Sequence, residues 1–565
     1  MPPFLSEPEA EQKLAFDTLP WDVILHILDF VPPLDIIALR RTCKLFCVAT
    51  QQHVVWIHAL RSVCYENNLY ADIFAPEDLP RAHIELAATT PSRFIRRVKD
   101  ASTNSDAMDA TPTSPVPTPV LEGGDLSRPQ ETAPRKDLPY LAPLSVRSLS
   151  IPPAAQAPLW HLTDAVNELR LAPGGRYLAM NHYWDMQIWD LGLHATDEPR
   201  LIATHTFPNS GDFVIYGIWI KPDGRGLQIQ TNFLCSEPPR NELAIWEIYP
   251  LEPDPQLRPV ASMMRGPMLT YECRGGSRIA ISEENTVGVW DPTLNTLITW
   301  AVPAEMVTML IIQTRAICLY KDRITVYEVP YIIPRSDGAL QEEQHELAPI
   351  WTTLLPYSVD DYFLPASWPY SADRGMPRSD LYFGLTEAVP ARNYIYRVPA
   401  RPLPVADAPA IELVAVVDVE GPVPPRLDNF LQRPVRMCEG HLALMSEPST
   451  REEVRLQIVQ EPRRGRNPQD ALSVATVREE SDMLPGRMPG MWPPAGAAAG
   501  TSSDPIVLDD EVDSALRTPT WSVSLYKGDG DVIDFEFDGA SGRACAITDE
   551  YEVLVLDYLQ TPGYP

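Results

Sequence analysis

Three stretches of this chain repeat one plan. Residues 166–191, VNELRLAPGGRYLAMNHYWDMQIWDL, read as strand, Pro-Gly-Gly turn, strand, polar turn, strand. Residues 215–248 follow the same order around the turn Pro222-Asp223-Gly224, and residues 268–291 around Gly275-Gly276. Each closes on an apolar strand ended by tryptophan and an acid: Trp189-Asp190, Trp246-Glu247 and Trp290-Asp291. Asp185, Asn241 and Asn285 stand four or five residues before the tryptophan, where a tight turn favours them. A three-strand unit cannot bury both of its faces alone, so recurrence constrains the chain to a fold in which such units stack.

Four further segments fit the plan with decay. They are 309–329, ending on Tyr327-Glu328; 380–398, ending near Tyr396; 434–460, ending near Ile458; and 532–558, ending on Leu556-Asp557. From about residue 145 to 565 the pattern is therefore all-β, with seven units counted and a range of six to eight. At the strand-ending Trp-Asp and the glycine turns the chain resembles the WD-repeat family, which implies a β-propeller. The Gly-His pair typical of that family is absent, and the later units lack the tryptophan. A sandwich is the weaker alternative, because the short unit recurs. Trp189, Trp246 and Trp290 are expected in the blade core, with the acid after each as a structural acceptor.

The N-terminal stretch has a different period. Thr18 stands ready to cap a helix that Leu19-Pro20 opens, and Val23, Ile24, Ile27, Leu28 and Val31 recur at helical spacing before Pro32-Pro33 ends the run. A second apolar series spans Leu34 to Val48, and a third begins at Val54. Three or four short helices in so few residues have little core of their own. In order, the Leu19-Pro20 opening, Ile24 and Leu28, the Pro-Leu-Asp turn at 33–35, the run Leu39-Arg40-Arg41-Thr42-Cys43-Lys44, Phe46 and Trp56 resemble the F-box, here of fungal type. That resemblance spans 14–60 and implies docking on a Skp-type adaptor and, through it, on the cullin and RING subunits of a ubiquitin ligase. It points to Leu19, Pro20, Ile24, Leu28, Leu34, Leu39, Cys43, Phe46 and Trp56 as the adaptor interface or its support, with Ile27 and Ile37 expected in the core.

Residues 61–100 continue as a helical linker in which Pro91 starts a turn of helix. Arg93, Arg96, Arg97 and Lys99 form a small basic face there, read as solvated. Residues 101–144 are rich in Ser, Thr, Pro and Asp and are expected to be disordered. Pro330–Pro369 and Pro399–Pro425 read as Pro-rich insertions, and 461–520 as a disordered loop between the last two units. Within that loop Ile506-Val507-Leu508 followed by Asp509-Asp510 resembles a SUMO-interaction motif, against the plainer reading of an acidic tether.

Composition narrows the function. A net charge of −30 disfavours binding to a phosphate backbone. The 8 cysteines form no CxxC pair and have no histidine at ligand spacing, which fits reduced thiols and no metal site. No apolar run is long enough to span a membrane and no secretory signal is visible, so the cytoplasm or nucleus is expected. Phosphate-loop, zinc-protease and serine-elbow motifs are absent, and no cofactor is implied. Taken with these features, the two resemblances imply a non-catalytic substrate receptor of a Skp–cullin–F-box ligase whose propeller holds a protein substrate. The alternative is an interaction scaffold with the same two parts.

Overall fold

The computed structural model describes residues 19–109, 138–151, 166–207, 213–332, 340–363, 381–398, 411–418, 435–460 and 520–559, less a few positions inside those ranges. Five helices come first: α1 (Trp21–Leu28), α2 (Pro33–Leu39), α3 (Lys44–Ala49), α4 (His53–Glu66) and α5 (Arg81–Asp109). Pro20 and Pro32 occupy the N-cap positions of α1 and α2 without a side-chain cap, their extended backbone feeding directly into the first turn. Helix α1 thus starts at Trp21, and Thr18 lies outside the described residues.

Helix α5 runs unbroken for 29 residues and holds Pro91 in its interior. Pro91 is therefore not a start signal. Its missing N–H and ring clash ordinarily break a helix. Here the Thr90 hydroxyl donates to the Leu86 carbonyl at 2.8 Å and the Thr89 hydroxyl to the Glu85 carbonyl at 2.9 Å, on the turn the proline interrupts. Burial of Ala88, Phe94, Ile95 and Val98 holds both halves in line. The helix also passes the expected boundary at 101. Ala101 packs on the core cluster that contains Phe94, and the Thr103 hydroxyl donates to the Lys99 carbonyl at 3.0 Å.

The remainder is a seven-bladed β-propeller. Blade 1 is Val166–Leu171, Tyr177–His182, Asp185–Asp190 and Arg200–Thr206; blade 2 is Phe213–Ile220, Leu227–Ser236, Pro239–Ile248 and Arg258–Arg265. Blade 3 is Leu269–Gly275, Arg278–Glu283, Thr286–Asp291 and Thr296–Ala301; blade 4 is Met306–Ile312, Arg315–Tyr320, Arg323–Glu328 and Pro349–Leu354. Blade 5 is Asp361–Phe363, Leu381–Ala388, Ala391–Val398 and Glu412–Asp418; blade 6 is Val435–Met437, His441–Ser446, Glu453–Gln460 and Thr520–Lys527. Blade 7 takes Val532–Asp538, Arg543–Thr548 and Val553–Asp557 from the C-terminal end and its outer strand, Ser145–Ser148, from the other end of the propeller sequence. First strands touch between blades 7 and 1, 1 and 2, 3 and 4, and 4 and 5, and shared apolar clusters join blades 2 to 3, 5 to 6 and 6 to 7, so the ring closes.

Six of the seven expected units match the inner three strands of a blade, that of blade 5 takes in only its second and third strands, and every outer strand falls outside them. The outer strand meets solvent on one edge and loses the apolar alternation: Pro349–Leu354 is largely exposed, whereas Arg315–Tyr320 in the same blade is buried throughout. The two Pro-rich insertions accordingly hold ladder strands, Pro349–Leu354 and Glu412–Asp418 among them. The loop at 461–520 sits inside blade 6, between its third and outer strands, rather than between two blades. The Ile506–Asp510 motif lies outside the described residues. Asn241 is mid-strand in a long hairpin, paired with Leu234, and not in a turn.

Two outer edges are covered by the chain itself. Gln341–Gln344 adds a fifth strand, parallel, to the edge of blade 3. Residues 139–141 lie parallel on the edge of blade 6, where Leu141 N–H donates to the Ser524 carbonyl at 2.8 Å and Ser524 N–H to the Pro139 carbonyl at 3.0 Å. Unpaired edges invite pairing with other chains, so such cover favours the monomeric ring.

Candidate functional site

The N-terminal helices carry two apolar faces. On α1, Ile24 and Leu28 are both 1% exposed and point into the core. Val23 and Ile27 have the same four-residue spacing, turned by one residue, or about 100°, and Val23 is exposed while Ile27 is half-buried. Helix α3 repeats the arrangement: Phe46 and Ala49 are buried, and Leu45 and Val48 lie one residue round, Val48 exposed. Phe30, just past α1, is 76% exposed. The result is a small core with a second aliphatic surface outside it.

The nine candidate residues divide between these faces. Ile24, Leu28, Phe46 and Trp56 are core. Leu19 and Leu39 are half-buried and pack against that core, Leu34 is half-buried, and Pro20 and Cys43 are exposed. Ile27 and Ile37, expected in the core, are half-buried, and Ile36 is the fully buried residue of α2. Adjacent isoleucines on a helix point about 100° apart, and only the packing of α2 selects between them. Val23, Phe30, Val48 and Val54 are exposed apolar residues outside the nine candidates. Their signal is an apolar residue off the phase of the buried series.

Trp56 anchors the module. It is fully buried and its indole N–H donates to the Thr50 carbonyl at 2.8 Å. The Arg40 guanidinium stands 5.5 Å from the Trp56 ring and donates to both Glu85 oxygens, at 3.0 and 2.8 Å, and to the Thr50 carbonyl at 3.2 Å. A bidentate Arg–carboxylate pair fixes orientation as well as distance. Arg40, part of the Leu-Arg-Arg-Thr-Cys-Lys run, therefore binds the short helices to α5.

Helix α5 in turn seats on the propeller. Phe94 packs against Phe537 with ring centroids 5.2 Å apart and against Tyr558 at 6.1 Å. The Arg97 guanidinium donates to the carbonyls of Tyr558 and Ala142, the latter at 2.7 Å. The Lys99 ammonium lies 4.1 Å from the Trp521 ring. The basic face on α5 is thus partly consumed in docking, because its cations cap carbonyls and an aromatic ring of blades 6 and 7. The short turn Ala71–Phe74 docks on blade 1, where Gly174, at φ +92°, lets the Phe74 ring approach to 3.2 Å of the place a Cβ would take.

That face of the propeller is held by a repeated clasp. In blades 1 to 4 and 7, the acid ending the third strand meets a base in the turn before, or at the start of, the second. The pairs are Arg176–Asp190 at 3.0 Å, Lys221–Glu247 at 2.8 Å, Arg278–Asp291 at 4.0 Å, Arg315–Glu328 at 3.3 Å and Arg543–Asp557 at 2.6 Å. In blade 7 Arg147, from the closing strand, adds a 2.8 Å bond to the second oxygen of Asp557. The acid after each tryptophan is therefore an acceptor, as expected, and Trp189, Trp246 and Trp290 are buried. The base of the clasp was legible as an Arg or Lys opening the second strand, a signal the Trp-acid pattern overshadowed.

Among the described residues no group of three or more His, Cys, Asp or Glu is placed to hold a metal, and no helix is long and apolar enough to cross a membrane. Burial pushes the Cys545 thiol up to about 12 and keeps it protonated.

Comparison with known proteins agrees with the helical module. Residues 16–58 match the F-box domain. The match covers less than a tenth of the 565-residue chain. No curated protein matches the sequence. Among solved structures the chain is similar to the β-propeller domain of Cps50 (Swd1) from Myceliophteria thermophila, at 11% identity over 70% of this chain and 97% of that one, TM-score 0.36. It is similar also to the C-terminal WD40 domain of Sif2, at 8% identity over 70% and 96%, TM-score 0.34. A third likeness is the WD40 domain of SCAP from fission yeast, at 10% identity over 70% and 85%, TM-score 0.34. The propeller itself rests on the strand pairing described above.

Proposed function

We propose that the chain is a substrate receptor of a Skp–cullin–F-box ubiquitin ligase. The observation that carries this reading is the set of exposed apolar residues Val23, Phe30 and Val48 outside the module core, while α5 fixes the module to the propeller. An aliphatic helix face presented to a partner's groove is an established recognition mode. On this reading Leu19, Pro20, Leu34, Leu39 and Cys43, with Val23, Phe30 and Val48 beside them, meet the Skp-type adaptor. Ile24, Leu28, Phe46 and Trp56 support that surface from within. Cullin and RING subunits follow through the adaptor, and the propeller holds the protein substrate. The receptor's task is positioning: it raises the local concentration of substrate lysines near the transferring enzyme and needs no catalytic residue of its own.

The test is co-purification of the full chain from cells, wild type against Leu19→Ala/Pro20→Ala. Adaptor and cullin are expected with the wild type, with at least a tenfold loss in the variant. Recovery of adaptor without cullin would favour a scaffold, and recovery of neither would remove the receptor reading.

A further inference from the structure

The strand that closes the ring has little hold of its own. Ser145–Ser148 pairs over four residues with the last strand of blade 7, and its side chains alternate between half-buried and exposed. Val146 is 55% exposed and Leu144, just before the strand, 51%. A short edge strand without an apolar face is marginal unless its ends are anchored. Within residues 138–150 only Leu141 and Leu149 are buried, one on either side of the strand.

The Leu149 end is fixed by the propeller itself. Leu149 N–H donates to the Val553 carbonyl at 2.9 Å. The Arg147 guanidinium donates to Asp557 at 2.8 Å and to the Leu191 carbonyl at 3.0 Å.

The Leu141 end is fixed by α5. Leu141 lies in one apolar cluster with Phe94, Ile95 and Val98 of that helix. Ala142, the next residue, accepts from the Arg97 guanidinium at 2.7 Å. The same guanidinium donates to the carbonyl of Tyr558, one residue past the last strand of blade 7. Arg97 thus bridges the two segments that the closing ladder must hold together: the lead-in to Ser145–Ser148 and the exit from Val553–Asp557. Blade 6 completes the junction, since the Tyr558 hydroxyl donates to the Leu525 carbonyl at 2.6 Å and Leu141 N–H to the Ser524 carbonyl at 2.8 Å. Phe94 seats against the blade 7 turn at Gly542, where φ is +65° and a Cβ would come within 3.2 Å of the Phe94 ring.

We infer that α5 is the latch of the propeller ring: it grips the lead-in to the closing strand and the exit from blade 7 together, so that the ring stays closed while α5 is docked and opens at blade 7 when α5 leaves. The coupling is reciprocal, because whatever docking adds to closure, closure adds to docking. An opened ring bares the ladder groups of Val553–Asp557, and such an edge invites pairing with other chains. The propeller is therefore complete only when the F-box half of the chain is in place, whichever partner the F-box takes.

The experiment is hydrogen exchange with mass spectrometry on the full chain, wild type against Arg97→Met and Arg147→Met. Arg97→Met keeps an apolar stem and removes both hydrogen bonds. Peptides covering 141–149 and 553–557 are expected to lose protection at least tenfold, while peptides from blades 2 to 4 keep theirs. Arg147→Met, which touches only the propeller end of the strand, is expected to lower protection of α5 around residues 92–100 at least threefold. Should Arg97→Met fail to fold, Phe94→Leu replaces it, with at least a threefold loss expected in the same blade 7 peptides. Wild-type protection of 141–149 and 553–557, whether or not α5 itself loosens, overturns the latch. So does an Arg147→Met variant whose α5 is protected as in the wild type, and so does a loss spread evenly over all blades. Adaptor capture by the wild-type chain reports on the receptor reading separately, since the latch does not require an adaptor.

Discussion

The F-box helices and the propeller blades bury apolar surface in opposite ways. Blade 1 hides every residue of its second strand, Tyr177–His182, and its tryptophan, and finishes the strand ends with the Arg176–Asp190 clasp. The F-box buries a few residues per helix and leaves Val23, Phe30, Val48 and Val54 in solvent. Single exposed apolar residues are ordinary on a protein surface. Several in one short module are what the proposed adaptor surface would use. The blade is self-sufficient once its neighbours are in place, whereas the F-box keeps apolar side chains in solvent.

That contrast is open to measurement. The largest effect is expected at the ring closure. Asp557 is buried between Arg543 and Arg147, so Asp557→Ala leaves two guanidiniums facing each other without their acceptor. Removing one partner of a buried ion pair costs about 3–5 kcal/mol, and urea unfolding of the full chain followed by propeller tryptophan fluorescence is expected to show a loss of that size. A loss under about 1 kcal/mol would mean that the closure does not depend on this clasp.

A smaller effect separates the two faces of the F-box. Ile36→Ala opens a cavity in the module core and is expected to cost about 2–5 kcal/mol, while Ile37→Ala, one position round the same helix, is expected to cost less than half as much. Helicity of the module during urea unfolding reads both. Equal losses would erase the distinction between the fully buried and the half-buried position on α2.

The smallest effect on stability is expected on the outer face. Phe30→Ser and Val48→Ser are exposed substitutions that should stay within about 0.5 kcal/mol of the wild type, yet weaken adaptor capture several-fold by calorimetry. Loss of stability without loss of capture would place these side chains in the fold rather than in the interface.

The order Leu-Pro, two aliphatic residues a turn apart, Pro-Leu-Asp, Leu-Arg-Arg-Thr-Cys-Lys, aromatic, Trp was enough to identify the helical module, because each of those residues fills a local requirement of helix start, core or turn. The inner three strands of six blades were equally plain, since strand faces packed between blades must alternate or run apolar whatever the rest of the chain does; in blade 5 the first strand, Asp361–Phe363, is too short to carry a pattern. The outer strands were not plain: they border solvent and tolerate Pro, Thr and Glu, so Pro349–Leu354 and Glu412–Asp418 looked like insertions. Pro91 misled for a related reason. A propensity rule predicts a break, and the threonine hydroxyls and the burial around it decide otherwise.

The sequence alone determined the module, the repeat and the number of units, all of which follow from short-range pattern. Tertiary structure decided what depends on contacts between distant residues: which of Ile36 and Ile37 is core, that Ser145–Ser148 closes blade 7 against residues 553–557, and that Arg97 and Lys99 seat α5 on the propeller instead of facing water. The pairings of Ser145–Ser148 with blade 7, of Arg97 with Tyr558 and of Lys99 with Trp521 join positions hundreds of residues apart, and their free energy exists only once the ring has formed.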